Sequence, residues 1–123
     1  MPALAWAAVI FWTSSQSEVP LVPRLFVGAD KLIHAAVYAT LCGLLLWAAQ
    51  AVNAGVAFVW VAITALYGAS DEIHQIWVPQ RSSDVLDWLA DAAGAVLAAA
   101  AWLKLKAGRS AFHDAGATGP RSR

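Results

Sequence analysis

With 123 residues, 60% of them hydrophobic and 13% charged, the chain has room for one domain and too little charge to cover a soluble one; soluble domains carry about 25% charged residues. Net charge is zero and no basic stripe occurs, so DNA or RNA binding has no support. The lone Cys42 excludes an internal disulfide framework and reads as a small packing residue.

The apolar residues gather into blocks near the roughly 20 residues that cross about 30 Å of hydrocarbon. The predicted fold is therefore an all-α polytopic membrane protein, a four-helix transmembrane bundle with a short first helix. That first segment, Pro2–Thr13, needs Ser14–Gln16 to approach a full span. It lacks the basic flank and cleavage site of a signal peptide and is read as retained. Glu18–Ala29 is predicted as a loop, because Pro20 and Pro23 forbid a continuous helix. The second span runs from Lys31 to Gln50 with Asp30 as its N-cap. Asn53-Ala-Gly55 makes a turn, and the third span, Val56 to Val78, ends at Pro79. Gln80–Ser83 is a short loop, and Asp84 caps the fourth span, Val85–Leu103. Residues 1–103 form the transmembrane domain; 104–123, polar and rich in Gly and Ser, are expected to be a disordered cytoplasmic tail. Gly43 and Gly94 are expected where helices pack closely.

Tryptophans suggest where the interfaces lie: Trp12, Trp77 and Trp88 near one, Trp47, Trp60 and Trp102 near the other. Lys104, Lys106, Arg109, Arg121 and Arg123 favour a cytoplasmic C-terminus. Counting back along the spans then puts Gln80–Asp84 and Asp30 outside and Asn53 inside.

Successive helical residues advance by about 100°. Lys31, His34 and Tyr38 therefore share one stripe of the second span, Tyr67, Asp71, His74 and Gln75 one of the third, and Asp84, Asp87 and Asp91 one of the fourth. All three lie at the outer ends of their helices, and hydrocarbon would turn them toward one another. Six acids (Asp30, Asp71, Glu72, Asp84, Asp87, Asp91) face two fixed bases, Lys31 and Arg81. Asp30 and Asp84 are accounted for as caps, and Glu72, off the stripe, is expected to reach headgroups. Asp71, Asp87 and Asp91 against Lys31 and Arg81 leave one negative charge. A protonated histidine, a neutral carboxylic acid or a metal ion would close it. His34, His74 and the aspartates are suitable zinc-ligand types, but no HExxH run occurs and no metal is assigned. A plain structural account also stands: such a network can simply lock helices in register. Tyr38 and Tyr67 read first as hydrogen-bonded packing residues. Arg81 is either a headgroup anchor or a bidentate contact to an anion.

Asp30-Lys31-Leu-Ile-His34-Ala-Ala-Val-Tyr38, Ser70-Asp71-Glu72-Ile-His74-Gln75, Pro79-Gln-Arg81 and Asp87-Trp-Leu-Ala-Asp91-Ala-Ala-Gly94, in this order, resemble the VanZ-like family of small bacterial membrane proteins. The resemblance covers roughly residues 29–98. Asp30, Lys31, His34, Tyr38, Asp71, Glu72, His74, Gln75, Arg81 and Asp87 match the family's recurrent polar positions. Asp91 stands where the family pattern has asparagine, and the opening span is shorter than usual. The family's namesake is associated with low-level resistance to the glycopeptide teicoplanin, and no established activity comes with the name.

What the resemblance implies is a multi-pass protein of the bacterial cytoplasmic membrane. The expected function is a cell-envelope protein whose outer polar pocket (Lys31, His34, Tyr38, Asp71, His74, Gln75, Arg81, Asp87 and Asp91) binds a lipid or lipid-linked cell-wall precursor, or steadies a partner. The alternative is an intramembrane enzyme with His34 or His74 as base, oriented by Asp71 or Asp87. Ser70, the nearest nucleophile in sequence, points away by about 100°. An ion path ranks last, because the inner ends of the spans lack ionisable residues until Lys104. No cofactor or oligomeric state is assigned.

Overall fold

The computed structural model describes residues 1–17, 28–51 and 53–117. Among these there are four helices and no strand: α1 (Pro2–Ser14), α2 (Ala29–Ala48), α3 (Ala54–Gln75) and α4 (Val85–Ala117). Helices α2, α3 and α4 are each long and apolar enough to cross a membrane, and α1 is a shorter apolar helix. At 1.5 Å per residue α1 is about 20 Å long and falls short of a hydrocarbon core of about 30 Å.

The helix ends follow local chemistry and shift several predicted boundaries. Helix α2 starts two residues early, with Gly28 at φ 90° in the cap position. Asp30 is therefore a first-turn residue rather than the cap; its carboxylate lies 3.1 Å from the Lys31 ammonium. Asn53 caps α3 by accepting the Val56 N–H at 2.9 Å, and α3 ends at Gln75, short of Pro79. Asp84 caps α4 as expected, its Oδ1 accepting the Leu86 N–H at 2.8 Å.

Helix α4 does not stop at Leu103 but continues to Ala117. Ala, Leu and Lys in Ala101–Ala107 are strong helix formers, and polarity alone does not end a helix. The rest of the expected tail, 118–123 with Arg121 and Arg123, lies outside the described residues. So do 18–27, which hold nearly all of the predicted first loop and both of its prolines.

The most extensive packing is between α2 and α4, followed by α3 on α4, with α1 laid against α2 and α3. A Cβ on Gly94 would come within 2.8 Å of the Ala35 carbonyl carbon, so α2 and α4 touch backbone to backbone there. Gly43 has open space around it and is not a packing contact. At the end remote from the charges, Cys42, Leu46, Ala51, Ala57, Ala95 and Ala99 form a buried cluster, with Trp60 and Trp102 against it. Trp102 donates its indole N–H to the Ala51 carbonyl at 2.8 Å. Trp12, Trp47 and Trp77 are exposed, whereas Trp88 packs inward and donates to the Ala65 carbonyl at 2.9 Å.

Candidate functional site

The three polar stripes meet at one end of the bundle, joined by the C-terminal turn of α1. The assembly has four parts.

The first part is built on Lys31. Its ammonium sits 2.8 Å from an Asp84 oxygen, pairs closely with Asp87 Oδ1 and also reaches Asp30. One cation thus serves three carboxylates from the starts of α2 and α4. Asp84 lies outside the membrane-length segments, and the Lys31 ammonium beside it holds its carboxyl below the usual carboxylate range.

The second part joins three helices. His34 Nδ1 is 2.9 Å from Asp91 Oδ1, and its Nε2 is 3.8 Å from Asp87 Oδ2. Asp91 is wholly buried. Its space exists because α3 carries Gly68 there: a Cβ at Gly68 would stand 3.0 Å from Asp91 Oδ2 and 3.3 Å from the Tyr38 ring. Glu72 joins this part, contrary to the expectation that it reaches headgroups. It is 5% exposed, and its Oε2 accepts the Asp84 backbone N–H at 2.8 Å. The start of α4 folds over α3 at that point and closes Glu72 in.

The third part centres on buried Asp71. Its Oδ2 accepts from Ser14 Oγ at 2.8 Å, from Tyr38 Oη at 3.2 Å and from Gln75 Nε2 at 3.3 Å. No cation lies within ion-pair distance of it among the described residues. Neutral donors carry this carboxylate, and they come from α1, α2 and α3.

The fourth part is peripheral. His74 turns toward α1, with Nε2 3.1 Å from Ser15 Oγ and its ring 4.9 Å from that of Phe11. The Ser15 hydroxyl donates to the Phe11 carbonyl at 2.7 Å. Tyr67 also points to α1 and donates to the Ala7 carbonyl at 2.7 Å. Arg81, in the α3–α4 loop, reaches the Thr13 carbonyl at 3.5 Å, and its Nε is buried with no hydrogen-bond partner among the described residues.

Between the third and fourth parts lies a cavity of about 450 Å³. Ser14, Asp30, His34, Tyr38, Asp71, Gln75 and Arg81 line it, with Ile10, Ile33 and Val37 supplying apolar wall. Of the residues singled out from sequence, Tyr38, Asp71, Gln75, Arg81 and His34 face this space. Lys31, Asp87 and Asp91 belong to the adjoining ion-pair layer, and His74 stands apart from both. Ser14 and Glu72 were not among the expected site residues. Ser14 directly follows the predicted apolar segment, a position that gives no sign of its burial, which comes from α1 docking on Asp71.

A family model described as VanZ/LLP1 matches residues 1–106, which takes in α1 to α3 and most of α4. No curated protein and no solved structure matches the chain. The match covers well over half of the sequence and contains every residue of the polar assembly, and the chain belongs to the VanZ/LLP1 family.

Proposed function

We propose that this chain is an integral protein of the bacterial cytoplasmic membrane, multi-pass, with its polar end at the outer face and its C-terminus in the cytoplasm. In this reading the 450 Å³ cavity takes the anionic headgroup of an envelope lipid or of a lipid-linked cell-wall precursor. The observation that carries the reading is Arg81: it lines the cavity, and its buried Nε–H has no acceptor among the described residues. An unpartnered buried donor costs about 1–3 kcal/mol, more when charged, and a phosphate oxygen would satisfy it. Asp71, Gln75 and Tyr38 on the same wall suit hydroxyl or amine groups of the same ligand, and Ile10, Ile33 and Val37 suit the start of an acyl or prenyl chain. A site on the outer leaflet fits a link to teicoplanin susceptibility, since glycopeptides act there.

The test is retention of lipid by protein purified from bacterial membrane into nanodiscs, read by mass spectrometry. Arg81→Ala should lower retention of one anionic lipid class about tenfold, with phosphatidylglycerol and a polyprenyl diphosphate precursor offered separately to tell the two sources apart. Equal retention by both proteins, with unchanged teicoplanin susceptibility on deletion, would sink the reading.

A second reading, an intramembrane enzyme on a lipid-linked substrate, is favoured by the 2.9 Å contact of His34 with Asp91, a histidine–carboxylate pair beside a cavity. Turnover by purified protein, lost in a folded His34→Ala variant, would establish it. Ser15 beside His74 is a weaker nucleophile candidate, because its proton is held by the Phe11 carbonyl.

A further inference from the structure

We infer that His34, Glu72 and Asp91 form a binding site for one divalent transition-metal cation of the zinc class. Each residue comes from a different helix, and each offers one ligand atom, all within 4.8 Å of one another. Zinc bonds of about 2.0–2.2 Å to nitrogen and carboxylate oxygen would draw such atoms to about 3.4 Å apart. Small torsional shifts of His34 and Glu72 cover that difference.

Burial makes this more than a group of acids. Asp91 has 0% and Glu72 5% of its surface exposed. Each keeps one carboxylate oxygen, Asp91 Oδ2 and Glu72 Oε1, buried with no hydrogen-bond partner among the described residues. Lys31 is engaged by Asp30, Asp84 and Asp87 and makes no ion pair with either. Two buried carboxylates with idle oxygens are unfavourable unless something positive sits between them.

The surrounding contacts already orient the ligands. Glu72 Oε2 accepts the Asp84 N–H, and Asp91 Oδ1 faces His34 Nδ1. A proton on His34 Nε2, which is 3.8 Å from Asp87 Oδ2, leaves Nδ1 with its lone pair free on the Asp91 side for a metal. Such carboxylate-supported imidazoles are the usual form of a histidine ligand. Neutral imidazole and two carboxylates sum to minus two, which a divalent ion cancels. An imidazole in the set disfavours Mg²⁺ and Ca²⁺, which take all-oxygen ligands, and suits Zn²⁺. The rival occupant is a proton shared by the two carboxylates. The inference does not depend on the lipid reading, since none of its three ligands is Arg81 and its readout is the metal itself.

The experiment uses the full chain, purified in detergent without a histidine tag, stripped with EDTA and titrated with Zn²⁺ against a chromophoric chelator. One zinc per chain is expected, not displaced by millimolar Mg²⁺, with a rise in the unfolding temperature. Asp91→Asn and Glu72→Gln, which keep side-chain shape, should each weaken zinc binding at least about tenfold and abolish the thermal shift. His113→Ala, on the exposed end of α4, should bind as the unaltered protein does. X-ray absorption of the zinc-loaded protein should show one imidazole among oxygen ligands. Absence of stoichiometric zinc in the unaltered protein overturns the inference, as does equal uptake by all variants. If one isosteric variant fails to fold, the other decides.

Discussion

At one end of the bundle Cys42, Leu46, Ala57, Ala95 and Ala99 close against one another, and the indole of Trp102 supplies a hydrogen bond between segments. At the other end the same three helices bring together Lys31, His34, Asp71, Glu72, Asp87 and Asp91. The first end is held by close packing of small residues. The second end contains charges that must be balanced group by group. Several are: three acids share Lys31, and Asp71 rests on neutral donors. Among the described residues the buried side-chain polar atoms left without a partner, Arg81 Nε, Glu72 Oε1 and Asp91 Oδ2, all lie at this end.

The contrast can be broken most strongly at Lys31. Lys31→Met leaves Asp30, Asp84 and Asp87 without their shared cation and should lower stability by about 2 kcal/mol, between the values for exposed and buried pairs because only Asp87 is well covered. Unfolding in mixed micelles measures it, and a further Asp87→Asn change should recover part of the loss. At the apolar end, Trp102→Phe removes the donor to the Ala51 carbonyl and should cost about 1 kcal/mol. Its zinc uptake and lipid retention should match the unaltered protein; a parallel fall in either would show that the two ends are not independent.

The smallest effect is at Asp84, whose carboxyl is held below its ordinary value by Lys31. A depressed carboxylate contributes stability that is fully present above its unfolded pKa and is lost as pH falls through the lowered folded value. Asp84→Asn should therefore lose a little stability at neutral pH and flatten the acid limb of a pH–stability curve below about pH 4. An unchanged acid limb would mean that Lys31 draws its support from Asp87 and Asp30 alone.

Much of this was legible in sequence because helical periodicity is local. The spacing of Lys31, His34 and Tyr38, or of Asp84, Asp87 and Asp91, defines a shared face without any knowledge of neighbours. The extent of the apolar blocks likewise marks three helices of membrane-crossing length. What escaped depends on which helix lies across which. Glu72 looks solvent-directed on its own helix and is buried only because the start of α4 closes over it. Ser14 enters the site only through the docking of α1. Gly43 and Gly94 are alike in sequence, yet only Gly94 meets a neighbouring backbone. The proposed metal site, drawn from three helices, has no run such as HExxH to display it. The continuation of α4 past Leu103 was hidden for another reason: hydropathy reports where a span ends, whereas helix propensity decides where the helix does.

The backbone contact at Gly94 has a consequence for how a ligand could enter. With no side chain between them at that crossing, α2 and α4 have little freedom to slide or spread, and they behave as one plate carrying Lys31, His34, Asp87 and Asp91. Helix α1 touches that plate and α3 more lightly; its end is pinned to Asp71 by the Ser14 hydroxyl, and its middle is held by Tyr67 on the Ala7 carbonyl and by the Trp6 indole on the Val37 carbonyl. Displacing α1 would break these bonds and those of Ser15 with His74 and of Arg81 with the Thr13 carbonyl, and would remove the Ile10, Thr13 and Ser14 wall of the cavity, while the ion-pair layer on the plate stays assembled. The shortest of the four described helices is thus the one wall of the cavity that the plate does not depend on.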